Sequence, residues 1–259
     1  EGLAADVVTF NTTTDVEFLA EKGVVAKDWT KKFPNDASPT TSTMLFLVRN
    51  GNPKGIKDWD DLIKPGVQVV VVNPKLGGNG RYAYLAAWGQ AREKGGSDAD
   101  AQAYISKLYK NVPVLAKGGR DATAAFLQRN VGDVLITFES EVVSIDREFG
   151  KGKVDPVYPS VSITAENPVA VVERTVEKKG TAELAKAYLD YLYSDEGQEI
   201  AANHAIRPRS EAVLKKHADV FKPIKQFTVA KYFGSLGEAQ KTHFSDGGYF
   251  DKLFTEPKK

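Results

Sequence analysis

Apolar residues along the chain alternate between short unbroken runs and longer stretches spaced three to four apart, the rhythm of strands feeding helices. Met44 to Arg49, Val67 with Val69 to Val72, Val112 to Leu115, and Gly132 to Phe138 read as strands. After the second comes Asn73-Pro74-Lys75-Leu76-Gly77-Gly78-Asn79-Gly80-Arg81, then a helical pattern from Tyr82 through Tyr84, Leu85, Ala87, Trp88 and Ala91 to Gly95-Gly96. Ser97 or Asp98 can cap the next helix, whose apolar face is Ala101, Tyr104, Ile105, Leu108 and Tyr109. Gly118-Gly119-Arg120-Asp121 repeats the device and opens a helix carrying Ala122, Ala125 and Phe126. The fourth strand leads through Glu139 and Ser140 into Val142, Val143, Ile145 and Phe149. Such alternation predicts an α/β fold with parallel sheets, whose ligands sit outside the carboxyl ends of the strands.

Before this region, Gly2 to Phe10 reads as a strand, Asn11 to Asp15 as a cap for a helix with Val16, Phe18 and Leu19, and Trp29 to Pro39 as a loop. Asn50 to Pro53 is a turn, and Trp59 to Ile63 is helical. Beyond Gly150, strands are expected at Val154 to Val157 and Val169 to Val172, and a helix from Ala182 to Tyr193. Ser194 then caps another. Helical patches near Ala212 to Val220 and Leu236 to Phe244, and an aromatic turn from His243 to Phe250, complete the chain. No internal repeat or low-complexity tether occurs, so a division into domains must rest on chain crossovers.

Composition narrows the chemistry. A chain of 259 residues holds one large or two ordinary domains. Its 35 Lys and Arg nearly balance 34 Asp and Glu, which gives no electrostatic support to a nucleic-acid or anionic-membrane partner. With no cysteine, disulfides, thiol catalysis and Cys-ligated metals are excluded. The chain opens at Glu1 without a signal peptide and reads as a processed or trimmed product.

The glycine turns leave backbone N–H groups free to converge on a ligand, and a helix start adds unpaired donors and the positive end of its dipole. That is either an anion seat or plain strand-to-helix geometry. Neither the dinucleotide fingerprint nor a Walker A loop can be read here. Arg81 and Arg120 each follow a glycine at a helix start, an unfavourable place for a cation, which leaves simple exposure or a functional role. His204, His217 and His243 lack metal-ligand spacing and read as surface or capping residues. Glu139 and Glu141 could form a carboxylate pair, although residues two apart diverge on a helix. No G-x-S-x-G elbow with a plausible triad is present.

Taken together, the motifs resemble the periplasmic sulfate-binding proteins of bacterial ABC importers. The matching stretches include Thr41-Ser42-Thr43, Gly51-Asn52-Pro53-Lys54, Asp61-Leu62-Ile63-Lys64-Pro65-Gly66-Val67, Asn73-Pro74-Lys75, Tyr84 to Gly89, Leu108 to Val112, Gly132 to Leu135, Glu196 to Ala202, Arg207-Pro208-Arg209 and Phe244 to Phe250. The resemblance implies a type II periplasmic-binding-protein fold with two α/β lobes, mostly parallel sheets, crossover strands and an oxyanion enclosed between the lobes. It places residues 1–46 and 162–205 in lobe I, 47–161 in lobe II, and 206–259 in a C-terminal helical segment. It assigns anion binding to the backbone at Gly77, Gly78, Asn79 and Gly119, with Phe138 in the position that often carries an indole. Arg120 and Arg81 would brace those loops. Family members usually have Ser where Gly77 stands, and their first strand and helix, with the next strand and Gly/Ser-rich turn, are expected before Glu1.

The function implied is a periplasmic receptor for sulfate or thiosulfate, handed to importer membrane subunits, with no membrane insertion, cofactor, metal or catalytic residue. An enzyme on the same scaffold, or a shortened remnant that binds nothing, are the alternatives.

Overall fold

The computed structural model describes residues 3–149 and 152–255, and the chain forms two compact units, residues 1–42 with 165–221 and residues 43–164 with 222–259. It opens with β1 (Val7–Thr9), α1 (Thr13–Glu21), the single turn α2 (Pro34–Ala37) and β2 (Thr40–Ser42). The second unit begins with β3 (Met44–Arg49), β4 (Val69–Val72), α3 (Gly78–Glu93) and α4 (Asp98–Lys110). There follow β5 (Leu115–Ala116), α5 (Gly119–Leu127), β6 (Val134–Phe138), α6 (Glu139–Phe149), β7 (Val154–Val157) and β8 (Val161–Ile163). The chain returns to the first unit with β9 (Ala165–Asn167), β10 (Val169–Val171), α7 (Glu173–Lys179), α8 (Ala182–Tyr191), α9 (Asp195–Asn203), β11 (Arg207–Pro208) and α10 (Glu211–Lys216). It ends in the second with β12 (Lys225–Phe227), α11 (Val229–Phe233), α12 (Leu236–Ala239), a π-turn (Gln240–Phe244) and α13 (Tyr249–Thr255).

The second unit is built on a five-stranded sheet ordered β5-β4-β6-β3-β7. The parallel pairing expected from the alternation holds where the glycine turns are, since β4 runs parallel to both β5 and β6. On the far side β3 is antiparallel to β6 and β7. Leu45, Leu47, Val70, Val72 and Leu135 form one apolar layer with Ala122, Ala125 and Phe126 of α5 and Val142 and Ile145 of α6. Helix α3 is buried on nearly every face from Tyr82 to Ala91, which its run of Ala, Leu and aromatic residues permits. Glycine is required at position 89, where a Cβ would fall 2.1 Å from the Phe227 ring of β12.

In the first unit, β1 pairs antiparallel with β10, and β2 lies between β11 and β9, again antiparallel. Val16 and Ala20 of α1 pack with Trp29, Phe33, Val169 and Leu189. The turn residues read at 35 and 36 adopt a left-handed conformation that extends to the wholly buried Ala37 (φ 53°, 52° and 56°).

Several boundaries differ from the sequence expectation, among them the division of the chain, which falls at 42/43 and 164/165 instead of 46/47 and 161/162. β5 lies at Leu115–Ala116 instead of Val112 to Leu115, because Pro113 cannot donate to the ladder and Val114 is exposed. α3 begins at Gly78, before Tyr82, so the glycines form its first turn. Residues 206–259 do not cluster as one segment: 206–221 join the first unit and 222–259 the second.

Candidate anion-binding site

The two glycine turns leave neighbouring strands at the same level. Val72 at the end of β4 pairs with Ala116 of β5, and the next residue, Asn73, donates its N–H to the Ala116 carbonyl at 2.9 Å. Gly77 caps α3 and Gly118 caps α5, both extended (φ −175° and −171°) and neither with a side chain to satisfy the helix start. The first internal bonds are from Arg81 N–H to Gly77 O (3.1 Å) and from Ala122 N–H to Gly118 O (3.0 Å). Among the described residues, the backbone N–H groups of Gly77 to Gly80 and of Gly119 to Asp121 therefore donate to nothing. Two sets of unpaired donors, each at the positive end of a helix, lie side by side.

Close approach makes this possible. A Cβ on Gly80 would sit 2.6 Å from Val72 O and 2.8 Å from Asn73 O, so only glycine lets α3 start so close to the strand it leaves. The turn is held by Asn73, whose Oδ1 accepts from Lys75 N–H (2.9 Å), and by Lys75, whose Nζ donates to Asp246 and Asp251 (2.9 Å each). Hydrogen bonds to Asp251 and Asp246 raise the Lys75 ammonium above its ordinary pKa.

The site is not made of donors alone. Asn79 is buried, its Nδ2 donates to Thr137 Oγ1 at 2.9 Å, and its Oδ1 has no partner. Thr137 in turn donates to Glu141 Oε2 at 3.0 Å, while Glu141 Oε1 lies 2.8 Å from where a Cβ on Gly119 would be. Glu139 and Glu141 diverge: Glu139 is wholly buried, its N–H bound to Thr43 O, and Glu141 is half-buried toward α5.

The structure thus brings Gly77, Gly78, Asn79 and Gly119 to one edge of the sheet. Phe138 is buried at the end of β6, edge-on to Tyr82 at 5.9 Å, and its ring has no donor. Arg81 is half-buried with an unpartnered Nε, and Arg120 is exposed at the rim of a groove it shares with Glu141. Neither guanidinium hydrogen-bonds to the glycine turns. Thr137 was not singled out from the sequence, and Glu141 and Lys75 were named there only as half of a carboxylate pair and as part of a matching stretch. The signal for Thr137 was a lone hydroxyl in the apolar run Val134-Leu135-Ile136-Thr137-Phe138.

The histidine expectation needs one correction. His204 is exposed and His217 pairs with Glu199 at 2.9 Å, but His243 is neither surface nor cap. It is enclosed by Tyr84, Trp88, Phe233 and Tyr249, with Tyr84 Oη 3.1 Å from Nδ1. Burial lowers its pKa to about 4. No cluster among the described residues could hold a metal ion, and no described helix is long and apolar enough to cross a membrane.

Residues 1–206 match the family of bacterial extracellular solute-binding proteins. A thiosulfate-binding protein of Pseudomonas aeruginosa is 55% identical over 98% of this chain and 77% of its own length. A sulfate-binding protein of Escherichia coli is 51% identical over 97% of this chain, again with 77% of its own length covered. Among solved structures, the sulfate-binding protein SubI from Mycobacterium tuberculosis superposes with a TM-score of 0.82 at 32% identity, covering 93% of this chain and 82% of that one.

Proposed function

The chain belongs to the bacterial extracellular solute-binding proteins, with their type II periplasmic-binding-protein fold, and from that premise we propose that it captures sulfate or thiosulfate for an ABC importer. The observation that carries this reading is the pair of glycine turns on adjacent parallel strands, whose unpaired N–H groups suit a fully ionised oxyanion. Backbone donors at Gly77, Gly78, Asn79 and Gly119 hold the anion, and Phe138 supplies an apolar wall. Arg120, free at the rim, and Arg81 supply positive charge behind the turns. The protein acts in the periplasm as a receptor, without turnover.

The neutral donor set explains how such a seat works. Each N–H⋯O contact to a charged oxygen is stronger than a neutral one, and fixed helix dipoles need no reorganisation when the anion arrives. A thermal-shift screen of oxyanions beside a panel of hydrolase substrates tests the reading. Sulfate or thiosulfate should raise Tm, with no substrate consumed. A shift by neither anion, or turnover of any substrate, contradicts it.

A further inference from the structure

A single polar thread crosses all three strand-to-helix junctions at the candidate seat. It starts at Asn79 in the first turn of α3, passes Thr137 near the end of β6, and finishes at Glu141 in the first turn of α6, whose carboxylate rests against Gly119 at the start of α5. Its polarity is fixed by chemistry. Glu141 as a carboxylate only accepts, so Thr137 donates to it and must accept from Asn79.

Thr137 is 1% exposed in a strand otherwise apolar from Val134 to Phe138. Valine would fill nearly the same volume without the cost of burying a hydroxyl, so the hydroxyl has to be accounted for. Glu141 stands in the first turn of its own helix and beside the start of α5, so two helix dipoles favour its charge. Its contact with Gly119 is tight enough that any Cβ there would displace the carboxylate.

We propose that Thr137 and Glu141 are positioning residues of the seat, holding the start of α3 and the start of α5 at a fixed spacing so that both sets of N–H groups meet one anion. The inference rests on the oxyanion reading given above. Neither residue touches the anion in this account. They act through Asn79 and Gly119, and supporting groups of this kind decide whether a site keeps its geometry to within a fraction of an ångström.

The test compares the full chain with Thr137→Val, Thr137→Ser, Glu141→Ala and the Thr137→Val/Glu141→Ala pair, by sulfate calorimetry and amide NMR. Thr137→Val and Glu141→Ala should each weaken sulfate binding about tenfold or more, with the double variant little worse than either single one because both cut the same thread. Thr137→Ser, which keeps the hydroxyl, should restore most of the affinity lost in Thr137→Val. In the ligand-free protein, Thr137→Val should shift the Gly119 amide resonance, a readout that does not need sulfate. Affinity unchanged in both single variants, or fully additive losses, overturns the inference while leaving the sulfate reading intact. If the parent chain binds no sulfate, that reading fails, and an unmoved Gly119 resonance then overturns the positioning role separately.

Discussion

The Lys75 ammonium lies 2.9 Å from each oxygen of the Asp251 carboxylate, which ties the glycine turn after β4 to α13 of the same unit. The Lys75 hydrogen bond and then the Gly247 N–H hold the Asp251 carboxyl below its ordinary pKa. A depressed carboxylate contributes its stability above its unfolded pKa of about 4 and loses it as pH falls through the folded value. Lys75, raised instead, keeps its contribution until the solution is strongly alkaline. Melting temperatures of the parent chain and of Asp251→Asn should therefore differ at pH 7 and converge toward pH 3. A difference that stays constant over that range would show that the clamp is not ionic.

Gly77→Ser should tighten sulfate binding. Gly77 is extended and a Cβ there meets nothing within 4 Å, so serine enters without strain. Its hydroxyl can cap α3 or reach the anion, and one hydrogen bond is worth about 0.5 to 1.5 kcal/mol net, roughly three- to tenfold in Kd. Calorimetry checks this, and unchanged or weaker binding would count against the placement of Gly77 at the anion.

Gly80→Ala should do the opposite. Its Cβ would meet the backbone at Val72 and Asn73, which cannot step aside as a side chain can, so α3 must move away from β4. The expected outcome is a loss of more than about 1 kcal/mol of stability, seen in denaturant unfolding, together with weaker sulfate binding. Stability equal to the parent would mean that the close approach is not needed.

His243 should make the second unit acid-sensitive. Burial among aromatic rings holds its pKa near 4, below the ordinary 6.5, so the unfolded chain binds the proton more readily. Stability is then complete above about pH 6.5 and falls as pH drops toward 4, by on the order of 3 kcal/mol in all. His243→Gln should flatten that part of the profile. An equally steep fall in the variant would assign the acid response to other groups.

Much of this architecture was legible because helix and strand periodicities are local. The order strand, glycine turn, helix at β4-α3 and at β5-α5, the caps at Ser97 and Ser194 and a strand ending at Phe138 all follow the pattern, with β5 and the start of α3 displaced by a few residues. The short strands β2, β8, β9, β11 and β12 were not legible, since pieces of two or three residues owe their conformation to distant partners such as Val161 with Lys225. The antiparallel position of β3 is likewise a tertiary fact, invisible in its apolar run. At the site, glycines advertised the donors, but nothing local showed that Glu141 turns back onto Gly119 or that Lys75 reaches Asp251. His243 looked like a surface residue because its aromatic shell is gathered partly from Tyr84 and Trp88, more than 150 residues earlier.

The central claim is that the N–H groups at the two glycine turns hold a sulfate-like dianion, and calorimetric titration of the parent chain and of Gly119→Asp with sulfate tests it most directly. A carboxylate placed among the α5 donors would repel the anion, and the three atoms nearest the new Cβ belong to the end of the Glu141 side chain, which the change displaces without touching the backbone. The account predicts saturable one-site binding to the parent and no detectable heat for Gly119→Asp, whose circular dichroism should still match that of the parent. Absence of binding to the parent, or equal affinity in a folded Gly119→Asp, would contradict it.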